Sequence, residues 1–479
     1  MGKLTRPRSG FQRNPGFALL RAVVATAVIL CILSNFRILS QENDADNGER
    51  RTPAAAAAAP SSFSRIKTST RGTRYPSSSQ SLRANSKYDE ILEELSVLSV
   101  RFYMYSDKAI VQREVREDLK HKRGDTLNHP KMPFIREAYA EVQILDALEK
   151  HSLRTLNPDA ADLFVIPTST SAILMKRTPA EATKIYAEAF GTLLSTPTFQ
   201  ATGGNRHVLV STALWGFSRR SVQEKNVAGF GLRTYYDALR NVTIANDMDY
   251  AGCRELSKNE MRVDFIEHFR GSKGGIGKVT NSDFSLGLMA SEDIPFFAAS
   301  YDKFLNSKNF VFYHVRDREF IRNSTPFRRA PLRDEVIKGL PPSSIGPDLP
   351  YDDWLREFPS SRFCLAIRGD TPHSHALLRA VKVGCIPVVI CDSYPLYAPT
   401  LKSSVDMRDY AIFIPEKQFL EDPLQELLKL NDLSEAVIRD KLEALAFAQR
   451  VIQPDHPESL FVPAFLREAL QAQRAALDP

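Results

Sequence analysis

The fold of this chain is decided by residues 360–392, SSRFCLAIRGDTPHSHALLRAVKVGCIPVVICD, which predict a strand, a loop, a helix and a second strand. Residues 362–367 predict the first strand, and residues 368–371 (Arg-Gly-Asp-Thr) predict the loop. The helix is predicted to run to about Val383. Residues 385–391 are apolar and β-branched, which is typical of a parallel strand buried on both faces. The stretch therefore predicts a βαβ unit.

The start of the predicted helix is a candidate anion site. Pro372 fits the first turn of a helix, with Asp370 or Thr371 as the N-cap. Gly384 would end the helix. Free N–H groups and the helix dipole favour an anion such as a diphosphate at this point, and Arg368 lies in the same loop. A purely structural βαβ crossover is the alternative on this pattern alone.

Two parts of the chain carry a family resemblance. RFCLAIRGDTPHS followed by GCIPVVICD resembles the C-terminal signature of the exostosin-like glycosyltransferases, family 47. Residues 154–167, RTLNPDAADLFVIP, resemble a segment that closes the first βα unit in the same family. The resemblance covers residues 98–420 and is dense in these two parts.

The resemblance implies an α/β fold of the GT-B type, in which two Rossmann-like, doubly wound domains face a cleft. Strand–helix alternation on both sides of a middle region also favours two doubly wound halves. We expect an N-terminal, acceptor-side domain over residues 98–300 and a C-terminal nucleotide-sugar-binding domain with terminal helices over residues 301–479. The other elements predicted from periodicity are strands over residues 100–105, 163–166, 208–211 and 310–314 and helices over residues 134–150, 180–194, 424–430 and 433–452.

An apolar segment near the N-terminus predicts a membrane anchor. Residues 17–36 approach the length that spans a bilayer, although a cleaved signal peptide would have a similar apolar core. Basic residues precede the segment and acidic residues follow it, so the positive-inside rule places residues 1–16 in the cytosol. Residues 37–97 predict a disordered stem. This layout is typical of single-pass type II proteins of the Golgi membrane with a luminal catalytic part, and equally of any single-pass protein of the cell surface.

The basic balance of the chain does not indicate a nucleic-acid-binding surface. The net charge is +6, but residues 1–88 contain 14 Lys/Arg and 4 Asp/Glu, a net of +10, which leaves −4 for the remainder. The excess positive charge therefore belongs to the N-terminal tail and stem, and no nucleic-acid partner is expected.

Cysteines and sequons fit a luminal location. Cys364 and Cys385 lie on the two strands that flank the predicted helix and could be close, although pairing cannot be deduced from sequence. Asn241 and Asn323 are glycosylation acceptors if they are exposed. No Cys/His spacing suggests a zinc site.

Candidate donor-binding residues lie in the signature and in the segment before it. Residues 310–336 resemble the family's strand and following helix with spaced arginines, and an arginine fork can bind two phosphate oxygens. Solvated surface charges are the alternative for these arginines, and more so for Arg328 and Arg329. The predicted nucleotide-sugar contacts are Arg316, Arg333, Arg368, Gly369, Asp370, Thr371, Ser374 and His375.

Two regions depart from the family pattern. Family members usually have an acidic residue, suited to the ribose of the donor, where this chain has Arg379, and an arginine where it has Ala376. Upstream, Ala213 and Leu214 stand where the family usually has a His-Asp pair. Ribose recognition is therefore expected to differ or to be lost.

The family implies transfer of a sugar from a nucleotide-sugar donor to a glycan or polysaccharide acceptor, with inversion and without a metal or other cofactor. The catalytic base is not identified; Asp107 and His207 are positional candidates only. One alternative is a catalytically inactive subunit that binds a glycan or a partner transferase in a homo- or hetero-oligomer. Another is a metal-dependent GT-A transferase that uses Asp247 and Asp249, which the GT-B expectation treats as surface residues.

Overall fold

Two parallel β-sheets organise the part of the chain that the computed structural model describes: residues 86–121, 133–176, 178–212, 235, 238–246, 282–287, 294–315, 326–347, 349–369, 372 and 374–477. All of these residues lie in one compact unit, Ser81–Pro479. The predicted anchor, residues 17–36, lies outside them. The prediction of a disordered stem over residues 37–97 is wrong for its last part, because Ser86–Ser96 form a helix in which Leu95 is buried. Within the described ranges, no helix combines the length and apolar character needed to cross a membrane.

The first sheet has six parallel strands in the order β2-β1-β3-β4-β5-β6. Its central strands are buried on both faces, as expected of a parallel sheet covered by helices. The strands are β1 (Phe102–Met104), β2 (Arg154–Thr155), β3 (Leu163–Ile166), β4 (His207–Ser211), β5 (Thr243–Asn246) and β6 (Ser282–Ser285).

The second sheet has five parallel strands in the order β11-β10-β9-β7-β8. Read from β8 and numbered along the chain, this is the 2-1-3-4-5 order of doubly wound folds, with its switch point between β7 and β9. The strands are β7 (Asn309–Val315), β8 (Ser344–Pro347), β9 (Ser361–Ile367), β10 (Ile386–Ile390) and β11 (Ile412–Phe413).

Helices connect the strands and cover both sheets. Before β7 they are α1 (Ser86–Ser96), α2 (Lys108–Val111), α3 (Arg113–His121), α4 (Pro133–Lys150), α5 (Thr170–Lys176), α6 (Pro179–Ser195), α7 (Pro197–Thr202) and α8 (Tyr301–Leu305). After β7 they are α9 (Pro326–Arg329), α10 (Asp334–Gly339), α11 (Tyr351–Glu357), α12 (His375–Lys382), α13 (Tyr394–Tyr397), α14 (Met407–Tyr410), α15 (Glu416–Glu421), α16 (Pro423–Leu428), α17 (Glu435–Ile452) and α18 (Phe461–Leu477). Short 3-10 helices span Pro158–Ala160, Ala330–Leu332 and Lys429–Asp432.

The last two helices contact both halves of the described structure. Helix α17 packs on α12 and β10 of the second sheet, whereas α18 packs on β5 and β6 of the first sheet. Phe465 of α18 meets Phe284 of β6 with ring centroids 5.4 Å apart. One cluster of buried apolar side chains therefore runs from the first sheet to the second.

The signature stretch folds as the sequence predicts. Strand β9, helix α12 and strand β10 form the expected βαβ unit. Cys364 and Cys385 form a disulfide with a Cα–Cα distance of 6.0 Å, which confirms that they are close. The predicted strands over residues 163–166, 208–211 and 310–314 and the four predicted helices also match, with shifts of one or two residues at their ends.

The predicted N-cap of the signature helix is wrong. Ser374, rather than Asp370 or Thr371, caps α12, because its backbone is extended (φ −145°, ψ 137°) and its side chain accepts a hydrogen bond from the Ala376 N–H. Helical backbone thus starts at His375, three residues beyond Pro372. The domain boundary near residue 300 stays a prediction.

Candidate functional site

The switch point of the second sheet gathers most of the described signature residues. Connections leave β7 and β9 in opposite directions along the sheet, and in doubly wound folds ligands bind outside the strand ends at such a point. Arg368 and Gly369 directly follow β9, and Ser374 and His375 begin α12. The structure therefore brings four of the predicted contacts to one edge of the sheet.

Gly369 lies against the guanidinium of Arg328. A β-carbon at position 369 would overlap this guanidinium, so a larger residue there would push the end of the Arg328 side chain away from the loop. The Nε of Arg328 donates to the carbonyl oxygen of Arg368 over 3.3 Å, and the hydroxyl of Tyr313 donates to the carbonyl of Arg328 over 3.0 Å. Arg328 is thus held beside the loop from two sides.

Arg368 is an internal ion-pair residue. It is 4% exposed, and its Nη1 donates to Glu416 Oε1 at 3.2 Å and Oε2 at 3.3 Å. Its guanidinium also lies 5.5 Å from the ring centroid of Phe327. Burial raises the pKa of Glu416, and the positive charge of Arg368 opposes this shift. Arg368 therefore ties the loop to α15, and its predicted contact with a donor stays a prediction.

The start of α12 is a capped helix terminus. The Tyr394 hydroxyl accepts from the Ser374 N–H over 3.5 Å and donates to the Ser374 carbonyl over 3.2 Å. Leu377, Leu378 and Val381 bury one face of the helix against the sheet. The Ala376 N–H donates to the Ser374 Oγ and the Leu377 N–H donates to the Ser374 carbonyl, and the positive end of the helix dipole at this terminus favours an anion such as phosphate.

Arg379 contacts an aromatic pair. Its guanidinium lies 5.8 Å from the ring centroid of Trp354 in α11, and Trp354 stacks on Tyr351 at 6.1 Å and 9°. Arg379 follows His375 by one helical turn and so lies on the same face of α12. The cation that replaces the family's acidic residue therefore contacts the aromatic face of a neighbouring helix.

The remaining predicted residues lie elsewhere or outside the described ranges. Arg333 is exposed at the N-terminus of α10. The Nδ2 of Asn241 donates to the Gly203 carbonyl over 3.0 Å, and Thr243 of its sequon is buried in β5. The predictions that fall outside the described residues concern Arg316, Asp370, Thr371, Asn323, Ala213, Leu214, Asp247 and Asp249.

The two positional candidates for a base have structural roles. The carboxylate of Asp107 caps α2 by accepting from the Ala109 N–H over 2.8 Å. His207 lies at the amino end of β4, fully buried beside Phe164, and its Nε2 is 2.7 Å from the Tyr105 hydroxyl. Burial lowers the pKa of His207 to about 4. Neither arrangement offers a base at the switch point of the second sheet.

Three supporting residues were not among the predicted contacts. Their hydrogen bonds to the signature join positions that are far apart in the sequence: 40 residues for Arg328 and Arg368, 20 for Tyr394 and Ser374, and 48 for Glu416 and Arg368. Two signals were available: Arg328 belongs to the segment with spaced arginines, and Tyr394 lies just after β10, at the carboxyl edge of a parallel sheet. Among the described residues, no group of three or more His, Cys, Asp or Glu side chains is arranged to hold a metal ion.

Comparison with known proteins gives one match. The family model described as Exostosin GT47 domain matches residues 280–429, which include the whole second sheet and its switch point. No curated protein matches the chain. Residues 280–429 are therefore similar to the exostosin domain of glycosyltransferase family 47.

Proposed function

We propose that this protein transfers a sugar from a nucleotide-sugar donor to a glycan acceptor. The observation that carries the proposal is the convergence of the Gly369 loop and the capped start of α12 at the switch point of the second sheet. The positive end of the helix dipole at the start of α12 and a nearby arginine, Arg328, suit a diphosphate. The family match over the same residues supports this assignment.

The proposed reaction is a direct displacement. The acceptor hydroxyl oxygen forms a bond to the anomeric carbon while the bond from that carbon to the diphosphate oxygen breaks. The electron pair of the broken bond leaves with the diphosphate, and a base takes the hydroxyl proton, so the anomeric configuration inverts. The helix dipole of α12 and Arg328 would stabilise the charge on the leaving group, without a requirement for a metal ion.

We infer a GT-B arrangement with the donor on the second sheet and the acceptor on the first. The first sheet repeats the 2-1-3-4-5 strand order and adds a sixth strand, which supports two Rossmann-like halves over residues 98–300 and 301–479. The Cys364–Cys385 disulfide supports an oxidising compartment, consistent with a Golgi lumen and an anchor at residues 17–36.

A catalytically inactive glycan-binding subunit is the second candidate. The observation that favours it is that two cations of the signature, Arg368 and Arg379, contact protein groups: Glu416 and the ring of Trp354. The acid that relatives place at position 379 is also absent from this position. A subunit of this kind would bind glycan or an active partner without turning over a donor.

Donor binding by the full-length protein in detergent tests both candidates. Saturation-transfer NMR and a hydrolysis assay are run with a panel of UDP- and GDP-sugars, with and without EDTA. We expect one donor to bind and to be turned over, with no effect of EDTA. A correctly folded protein that binds no nucleotide sugar would refute the transferase, whereas loss of turnover in EDTA would refute metal independence. Donor binding without turnover, with any glycan tried as acceptor, would support the inactive subunit.

A further inference from the structure

A fully buried acid, Glu141, lies at the carboxyl edge of the first sheet. It belongs to α4 and is 0% exposed. Its carboxylate lies within hydrogen-bond distance of residues 170–171, which begin α5 after β3, and of Thr212, which follows β4. A buried carboxylate is stable only where hydrogen-bond donors compensate for its lost hydration. The donors around Glu141 therefore show which parts of the fold it holds.

Four donors from two strand ends converge on this carboxylate. Its Oε2 accepts from the Ser171 hydroxyl at 2.6 Å, from the Thr170 hydroxyl at 3.2 Å and from the Thr212 N–H at 3.3 Å. The Ser171 N–H donates to Oε1 at 3.2 Å. The Oγ1 of Thr170 also lies 3.0 Å from the hydroxyl of Ser211, the last residue of β4. Glu141 thus joins the segment after β3 to the end of β4.

The carboxylate of Glu141 is ionised in mildly alkaline solution. Burial raises its pKa to about 7, and the hydrogen bonds from Ser171, Thr212 and Thr170 oppose this shift. Tyr186 of α6 is the titratable side chain that faces it, and its hydroxyl donates to the Thr170 carbonyl over 2.8 Å. Burial and the charge of Glu141 both raise the pKa of Tyr186, so this phenol stays neutral. At pH 8 the group therefore carries the charge of Glu141.

The end of β4 continues as a row of paired residues across the first sheet. Ser211 pairs with Asn246 of β5, and Asn246 pairs with Ser285 of β6. Neighbouring strands lie about 4.8 Å apart, so Ser285 lies about 10 Å from Ser211. The carbonyl of Ser285 accepts from the Leu401 N–H over 3.1 Å. The position of Ser211 therefore affects a contact with the second half of the structure.

The other side of this contact belongs to the carboxyl edge of the second sheet. Leu401 follows α13, whose Tyr394 holds the start of α12. Gly287, just after β6, lies against Thr400, because a β-carbon on Gly287 would overlap the Thr400 Oγ1. The carboxyl edges of the two sheets therefore meet at residues 285–287 and 400–401.

We propose that Glu141 is a positioning residue that holds the carboxyl edge of the first sheet against that of the second. It is too deeply buried to touch a substrate, and it acts through Ser211 and the row that ends at Ser285. Only the kinetic consequence rests on the proposed glycosyltransferase function. A misplacement of about 1 Å between reacting groups can cost about a hundredfold in rate, so a looser edge should slow turnover.

Hydrogen exchange followed by mass spectrometry tests the coupling in the full-length protein at pH 8. Glu141→Leu removes both acceptor oxygens at similar size, whereas Glu141→Gln keeps one. In Glu141→Leu we expect about 5-fold or more faster exchange in residues 211–212, and faster exchange also in residues 285–287 and 400–401. Glu141→Gln should lie between this variant and the wild-type protein. Glu188→Leu is the matched control, because Glu188 is exposed in α6, and it should leave these rates unchanged.

A second variant covers the case in which Glu141→Leu does not fold. Thr170→Val keeps the shape of the side chain and removes the hydroxyl between Glu141 and Ser211, so it should have the same effect to a smaller extent. Wild-type exchange rates at residues 285–287 and 400–401 in every folded variant of Glu141 and Thr170 would overturn the proposal. Glu141 would then be a local support of β3 and β4.

Donor turnover and donor affinity give the kinetic readout, with the same panel of UDP- and GDP-sugars. Glu141→Leu should lower turnover about tenfold or more and leave donor affinity within about twofold, a difference that loss of stability alone does not produce. Glu188→Leu should turn over at the wild-type rate. Wild-type turnover in Glu141→Leu would contradict the positioning role. A wild-type protein that turns over no donor would refute the transferase, and the exchange rates would then decide the role of Glu141.

Discussion

The guanidinium of Arg328 occupies the space beside the α-carbon of Gly369 that a β-carbon would fill. The contact joins the helix that follows β7 to the loop that follows β9, the two segments on either side of the switch point. Its geometry is set by the hydrogen bond from Arg328 Nε to the Arg368 carbonyl and by the anchoring of the Arg328 carbonyl to Tyr313. The close approach at Gly369 therefore defines the shape of the proposed donor site.

Gly369→Ala should displace Arg328 and disturb donor binding. Because the overlap is with the end of a flexible side chain, the cost in stability should be about 1 kcal/mol, the low end for overpacking. We expect donor affinity to fall about tenfold or more, because an arginine beside the diphosphate would move. Thermal unfolding and titration with the bound nucleotide sugar measure the two effects.

Two further variants control the Gly369 experiment. Gly191→Ala lies in α6 with no heavy atom nearer than 3.9 Å to the new β-carbon, so it should be neutral or stabilising by about 0.5–1 kcal/mol. Combining Gly369→Ala with Arg328→Ala should recover most of the lost stability, because the overlap is removed. A double variant as unstable as the sum of the single variants would contradict the overlap.

The Cys364–Cys385 disulfide should stabilise the βαβ unit. Its sequence separation of 21 residues predicts a contribution of about 3 kcal/mol from the reduced entropy of the unfolded chain. The double variant Cys364→Ala/Cys385→Ala should therefore unfold at lower denaturant concentration than the oxidised wild-type protein. Cys391 is buried, and burial raises its pKa to about 12, so this thiol should resist alkylation as long as the protein is folded. Its resistance to alkylation is the control that each sample is folded. Equal stability of the oxidised protein and the double variant would contradict a stabilising contribution of the Cys364–Cys385 disulfide.

His207 should make the protein less stable in mild acid. The unfolded chain binds a proton at this residue near its ordinary pKa of 6.5, whereas burial lowers the pKa in the folded state to about 4. Between these pH values the unfolded state binds more protons, so stability falls as pH falls, by up to about 3 kcal/mol.

Denaturant unfolding at several pH values measures this effect. His207→Gln should show a shallower loss of stability between pH 6.5 and 4 than the wild-type protein. Burial also lowers the pKa of His314 to about 4, so the single variant should still lose part of its stability between pH 6.5 and 4. The loss should be smaller in the double variant His207→Gln/His314→Gln. An unchanged slope in the double variant would show that other groups control acid stability.

Gln449 should be needed to hold α12 in place. It is 1% exposed in α17; its Oε1 accepts from the Ala299 N–H over 3.0 Å, and its Nε2 donates to the carbonyls of Phe297 at 2.8 Å and Val381 at 2.7 Å. Gln449→Leu leaves the buried Val381 carbonyl and the part-buried Ala299 N–H and Phe297 carbonyl without their partner and should cost about 1–3 kcal/mol.

The measurement is the unfolding midpoint, with Gln471→Leu as the control. Gln471 is exposed in α18, so its replacement should change stability by less than about 0.5 kcal/mol. We also expect weaker donor binding in Gln449→Leu, because Val381 belongs to the helix that starts the donor site. Wild-type stability in this variant would refute the bridging role.

Much of the fold was predictable because it depends on local pattern. Strands with apolar, β-branched runs, such as β9 and β10, were predicted within one residue. Strands β6 (Ser282–Ser285) and β8 (Ser344–Pro347) were not, because they are short and polar or contain Gly and Pro. They are strands because neighbouring backbones pair with them: β5 pairs with β6, and β7 pairs with β8. The hydroxyls of Thr243 and Ser282 also meet at 2.6 Å between β5 and β6.

By itself, the sequence determined the βαβ unit of residues 360–392, the positions of Cys364 and Cys385 on its two strands and the similarity of residues 280–429 to the exostosin domain. These features are written in consecutive residues, whose hydrophobic period and turn residues act over one or two elements. The tertiary structure decided what each charged side chain contacts: Arg368 binds Glu416, and Arg379 lies over Trp354. Such contacts join positions that are far apart in the chain. They exist only once the sheets and helices have packed, so no local pattern of residues records them.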